Sequence, residues 1–264
     1  MDGMTCIVNA DDFGYSSNIN KAILQSFKEG WVSSATIMVN MPGFEEACQM
    51  VAEHNLHEHI GLHFVLTEGV PLTDGIKRQR RFCDKNGQFR MTREHRLFHL
   101  TADEKEAVGE EMLAQIERCR KKGLKLTHVN SHHHIHEEIG IISLIIPLMR
   151  EFNIPSIRIM GNMAPTCSIH RRVYAILYNR YLEFCGLNST HYFGSIDQFV
   201  AFKMRHSASH LKGKRFEIMM HPMSNNDGVI VDALNKKPIK QLFEDAGLHR
   251  KAQSFSGAVY DSNI

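Results

Sequence analysis

The chain has 264 residues, 43% of them hydrophobic and 23% charged, with a formal net charge of +2. That length suffices for one sizeable core, and the near-neutral balance excludes the concentrated basic surface of a nucleic-acid binder. The longest apolar stretch, Ile139 to Met149, is too short for a bilayer and contains Pro147, so no membrane partner is expected.

Strand and helix signals alternate along the chain. Thr5 to Ala10 is a short apolar, β-branched run of the kind found in buried parallel strands. Ser16-Ser17-Asn18 supplies helix caps, Ile19, Ile23, Leu24 and Phe27 recur at helical spacing, and Gly30 closes the helix. Ala35 to Asn40 is the next strand, stopped by Pro42-Gly43. Phe44, Ala47, Cys48 and Val51 mark a second helix, and His59 to Leu66 a third strand. Gly69 to Leu100 is polar and without clear periodicity, as a lid or insertion would be, and its basic run Lys77-Arg78-Gln79-Arg80-Arg81 reads as a solvated loop. A long helix spans Ala102 to Lys122, with Asp103-Glu104 at its start and Arg120-Lys121-Lys122 at its end, in line with the helix dipole. Leu124 to Ser131 is a strand, Ile139 to Phe152 a helix, Ser156 to Met160 a strand and Ser168 to Phe184 a helix. Phe216 to Met220 is a strand, Ile239 to Ala246 a helix, and Ala258-Val259-Tyr260 a last short strand. No repeat or linker interrupts this α/β pattern, which predicts a single domain over residues 1–264.

No leader is expected, because Met1-Asp2-Gly3-Met4-Thr5 starts acidic and runs straight into a strand. The six cysteines are scattered with no Cys-x-x-Cys pair, which fits reduced thiols in a cytoplasmic protein. Nucleophile elbows, phosphate-binding loops and dinucleotide fingerprints are also missing.

Chemistry gathers where apolar runs end, the place at which α/β barrels and open α/β sheets build active sites. Asp11-Asp12 follows the first strand; adjacent side chains diverge, so one can ligate a metal while the other faces a reacting water. Turn-forming or capping aspartates are the alternative. His63 follows Gly61, a residue that permits close approach of a ligand or a second backbone. In His132-His133-His134-Ile135-His136, an extended backbone would put His132, His134 and His136 on one face. His221-Pro222 closes a later strand and offers either a general acid or a turn residue. Two imidazoles and a carboxylate make a divalent-metal set.

The runs Ile7-Val8-Asn9-Ala10-Asp11-Asp12-Phe13-Gly14, Gly61 to Gly69, Thr127 to His136 and Met220-His221-Pro222, in this order and spacing, resemble the YdjC-like carbohydrate deacetylases, which include chitooligosaccharide deacetylase. The resemblance covers nearly the whole chain. It implies an irregular, roughly seven-stranded β/α barrel of the polysaccharide-deacetylase type, with Asp12, His63 and His132 as metal ligands, Asp11 as general base and His221 as the second catalytic group. It also implies hydrolysis of an N-acetyl group from an N-acetylglucosamine-containing oligosaccharide such as diacetylchitobiose. Magnesium is the expected ion, with zinc or cobalt also suited to two histidines and an aspartate. Asn130 stands where the family usually has Asp, which predicts weaker support for a ligating imidazole. Asn188 to Lys214 and the region after Pro222 match loosely.

Arg158, at a strand end, is read as binding a sugar hydroxyl, holding Asp11 or forming a structural ion pair. A small oligosaccharide is the expected partner, and a homodimer is left open. Two other classes compete. A non-haem Fe(II) oxygenase uses the same facial triad, and a catalytically weak sugar-binding protein on the same barrel would accommodate Asn130.

Overall fold

The computed structural model describes residues 3–91, 99–248 and 253–257. Its centre is β1 (Thr5–Phe13), followed by α1 (Ser17–Lys28), β2 (Ser34–Ile37), α2 (Phe44–Glu53), β3 (Ile60–Phe64), α3 (Asp74–Lys77) and α4 (Ala102–Lys121). Next come β4 (His128–Ser131), α5 (Ile139–Glu151), β5 (Ser156–Ile157), α6 (Ile169–Phe184), β6 (Tyr192–Ser195), α7 (Ile196–Arg205), α8 (Ala208–Leu211) and β7 (Arg215–Met220). A hairpin of β8 (Pro222–Ser224) and β9 (Ile230–Asp232) precedes α9 (Ile239–Ala246).

Seven strands form one parallel sheet in the order β5-β4-β3-β2-β1-β7-β6. The sheet curls until its edges meet through single bonds instead of a ladder. Ile157 N donates to Asn188 O at 3.0 Å and Asn162 N to Phe193 O at 3.2 Å. The result is the irregular seven-stranded α/β barrel expected from the resemblance. Parallel strands need crossover connections, and the amphipathic helices provide them while covering apolar strand faces. Ser16 caps α1 by accepting from Ile19 N, and Thr101 with Glu104 forms a capping box on α4.

Period-two alternation divides the strands into two sets of side chains. Val8, Ala10, Ala35, Ile37, Leu62, Val129, Phe216 and Ile218 belong to the hydrophobic core. Their neighbours Asn9, Asp11, Thr36, His63, His128, Asn130, Arg158 and Glu217 are buried and bonded to one another across the sheet. The interior of the curl is therefore polar.

Several elements lie outside the sequence expectations: β6, α7, α8 and the β8–β9 hairpin fall in or beside stretches whose hydrophobic runs are short. The polar stretch after Gly69 contains α3 and an antiparallel bridge between Cys83 and Phe89. The strand expected at Ala258 to Tyr260 falls outside the described residues.

Gly61 is required by packing. A Cβ there would sit 2.5 Å from the His128 ring and 2.6 Å from the His128 backbone oxygen, so the neighbouring strand approaches closely through both its side chain and its backbone. Gly61→Ala should lower stability to urea by about 1–3 kcal/mol, the usual cost of overpacking. Gly109→Ala, in α4 with nothing within 4 Å of the new Cβ, should gain up to about 1 kcal/mol.

Candidate active site

The site lies at the carboxyl ends of β1, β3 and β4. Register between β1 and β2 shifts between Ala10 and Phe13, and Asp12 adopts a left-handed φ of 68°. A regular strand would send adjacent side chains to opposite faces. The irregularity turns both Asp11 and Asp12 toward the site, at a backbone cost of about 1–3 kcal/mol.

Asp12 Oδ1 lies 3.3 Å from His63 Nε2 and 3.1 Å from His132 Nδ1, and those two nitrogens are 3.4 Å apart. The donor set could hold a divalent ion. Proton placement supports the fit. His63 Nδ1 lies 2.6 Å from Asn130 Oδ1, and His132 Nε2 lies 3.0 Å from a Glu68 carboxylate oxygen. Both partners only accept, so each ring donates outward and keeps its other nitrogen's lone pair for the cluster. Burial alone would push His132 down, but hydrogen bonds and charge from Asp12 and Glu68 outweigh it and raise its pKa. Asp12 is held well below the usual carboxylate range by the two histidines, against the opposing effect of burial.

Asp11 is 2% exposed and surrounded by donors. Arg158 grips it through two nitrogens at 2.6 and 2.7 Å, while Asn9 and Asn130 amides donate at 2.8 and 3.1 Å. Burial opposes its charge, but Arg158 overcomes that and keeps the carboxyl ionised far below the usual range. Arg158 is itself fully buried, with Nε donating to Glu217 at 2.6 Å and its guanidinium 4.5 Å from the Phe193 ring centroid. It therefore holds Asp11 and is not placed to bind a sugar. His221 Nε2 lies 3.9 Å from Asp11, and its Nδ1 lies 3.9 Å from Asp232, which also accepts from the backbone N–H groups of His221 at 2.7 Å and Asn235 at 3.4 Å.

The expected single face of histidines does not form. His133 and His134 both take left-handed backbone angles inside a 3-10 segment over His132–Glu137, which destroys strand alternation. His132 alone faces Asp12. His133 Nδ1 contacts Thr67 Oγ1 at 3.1 Å, His134 packs near Phe193, and buried His136 meets Ser131 Oγ at 2.6 Å.

A family profile described as YdjC-like protein matches residues 5–252. The chain belongs to the YdjC-like protein family. It is 41% identical over 152 residues to a protein of Brevibacillus brevis named carbohydrate deacetylase, covering 58% of each chain. A Vibrio cholerae protein of the same name is 35% identical over 170 residues, covering 63% of this chain and 64% of that one. These matches span less than two thirds of the relatives' lengths. A crystal structure from Enterococcus faecalis V583, provisionally described as a cellobiose-phosphate cleavage protein, superposes with a TM-score of 0.68 at 21% identity. It covers 96% of this chain and 98% of its own, and it shares the fold.

Sequence reasoning missed Asn9, Glu68, His128, Glu217 and Asp232 as parts of this network. Glu217 carried a signal, being the one charge within Phe216 to Met220, since a buried charge requires a partner. Burial pushes Glu217 up to about 7, against the pull of Arg158. Its folded pKa lies above its ordinary value of 4.5, so the stability it contributes is complete below that value and is lost as pH rises through about 7. In chelator-treated protein, thermal melts of Glu217→Gln should lack this component. Its melting temperature relative to wild type should climb between pH 4.5 and 7 and then level; a pH-independent difference would refute the assignment.

Proposed function

We propose that this protein is a metal-dependent hydrolase that removes N-acetyl groups from N-acetylglucosamine-containing oligosaccharides of the chitobiose type. The observation that carries the reading is the Asp12–His63–His132 cluster lying one residue from a buried Asp11 and its neighbour His221. The named deacetylase relatives support the reaction class.

Asp12, His63 and His132 would hold the ion, with magnesium expected by resemblance and the nitrogen-rich set also suiting zinc or cobalt. A bound divalent ion would supply Lewis acidity toward the acetamido carbonyl and lower the pKa of a nearby water. Asp11, ionised across the working pH range, would accept a proton, and Arg158 fixes its orientation while limiting its basicity. His221 would protonate the departing amine, a role worth about 10²–10⁴-fold. Asn130 serves in two directions: its carbonyl accepts from His63 and its amide donates to Asp11. A carboxylate cannot supply the second bond. The six cysteines are free, which supports a reducing, cytoplasmic setting, and among the described residues no helix is long and apolar enough to cross a membrane.

Acetate release should occur from an N-acetylglucosamine disaccharide with added divalent metal, stop on chelation, and be absent with a plain glucose disaccharide. Cleavage of the glycosidic bond with the acetyl group intact would overturn the reading, and saccharide binding without acetate release would favour a binding protein. Single alanine variants of Asp12, His63 and His132 should lose bound metal by elemental analysis and lose metal-induced thermal stabilisation.

Two further substitutions separate the catalytic groups. Asp11→Asn should lower turnover at least 100-fold, in the range of a lost base. It should also destabilise the fold by about 3–5 kcal/mol, because buried Arg158 loses a counter-ion. His221→Gln should lower turnover comparably while leaving the thermal melt near wild type.

A further inference from the structure

His132 has a second working side. Its Nδ1 faces Asp12, whose side chain is 16% exposed, while its Nε2 lies 3.0 Å from Glu68 Oε2, on a side chain 37% exposed. Beside it stands His133, whose left-handed backbone, with φ 54°, keeps its ring against that of His132, the centroids 4.0 Å apart. A regular strand would send these two rings to opposite faces. One donor atom from each of Glu68, His132 and His133 lies within 4.8 Å of the others. Two imidazoles and a glutamate are a set that zinc binds well.

Two of the three donors are held from behind by a hydroxyl. Tyr15 Oη donates to Glu68 Oε1 at 2.6 Å, which leaves Oε2 for the cluster, and Thr67 Oγ1 meets His133 Nδ1 at 3.1 Å. Outer partners of this kind orient metal ligands and strengthen binding. The arrangement comes from two adjacent pairs, Thr67-Glu68 beyond β3 and His132-His133 beyond β4, strands that are paired up to Phe64 and Ser131.

We infer that Glu68, His132 and His133 form a second cation site, for zinc, which competes with the Asp12–His63–His132 site for one imidazole. The competition rests on the reading of that first site given above. A neutral imidazole carries one ring proton and one lone pair. With the lone pair on Nδ1, the proton on Nε2 is donated to Glu68. Zinc bound at Nε2 takes the lone pair there, and the proton moves to Nδ1, where Asp12 Oδ1 accepts it. The first site then keeps only Asp12 and His63. Excess zinc is therefore an inhibitor, and His133, which has no part in the first site, is the residue that makes it so.

Calorimetric titration of the metal-free full chain with zinc should show a tight event and a second one about tenfold weaker or more, within the usual range of coupling between sites. His133→Asn substitutes a residue that tolerates the left-handed backbone; it should abolish the weaker event and leave the tight one unchanged. Asp12→Asn should do the converse, losing the tight event while the remaining one strengthens about tenfold because competition for His132 has gone. Acetate release should rise through the tight event, fall through the weaker one in the wild type, and not fall in His133→Asn. A single zinc event in the wild type, a weaker event indifferent to His133→Asn, or a residual event in Asp12→Asn no stronger than its wild-type counterpart would overturn the proposal. Events that answer to both variants without any acetate release would uphold this site and refute the deacetylase reading instead.

Discussion

A fully buried guanidinium organises this protein. Arg158 reaches from the end of β5 across the interior of the curl to Asp11 on β1 and Glu217 on β7, strands that sit next to each other on the far side of the sheet order. Leaving one charge unpaired in such a place costs several kcal/mol, so the three groups depend on each other. The sheet needs this link because β5 and β6 meet without a continuous ladder. The ion triad joins the short β5 edge to the centre, and the same bond that closes the fold aims Asp11 at the site.

Around the triad, direction of donation is determined by residue type. Asn9 accepts from His128 Nε2 and donates to Asp11; Asn130 accepts from His63 and donates to Asp11. Burial keeps His128 neutral, with Arg158 adding to the downward push on its pKa. Asp11 thus receives four close hydrogen bonds, about the full capacity of a carboxylate. Accepting a further proton requires one of them to lengthen. That constraint makes Asn130 a fitting residue for the position, since its uncharged amide serves both His63 and Asp11 without placing a second carboxylate beside the first.

Much of this was legible in the residues. The strand–helix alternation and the gathering of Asp11-Asp12, His63 and the His132 cluster at strand ends follow from apolar runs ending in polar clusters, while the barrel and the choice of Asp12, His63 and His132 rest on the family resemblance. Where the runs are short, as at Tyr192 to Ser195 or Ile230 to Asp232, hydrophobic periodicity has too few residues to register a strand. The polar lining was partly hidden because each strand contributes only one or two inward residues between apolar neighbours. The His-rich segment misled for a different reason: alternation assumes an extended backbone, and His133 and His134 abandon it.

Those two histidines and Asp12 share one feature, a positive φ without glycine. Each such residue costs about 1–3 kcal/mol and persists only where surrounding contacts over-determine it. At Asp12 the contacts are His63 and His132; after His134 they are Ser131 with His136, and the phenols of Tyr178 and Tyr174 on the backbone carbonyls. The strained turns are therefore held by the protein itself. The three donor atoms already stand 3.1–3.4 Å from one another, about the spacing that an ion with ligand bonds of roughly 2.0–2.1 Å would require, so the fold gathers them before any cation binds. Preorganisation of this kind moves the cost of assembling the site from binding to folding, which is why α6, the helix that supplies the phenols, matters to the site although no atom of it belongs to the ligand set.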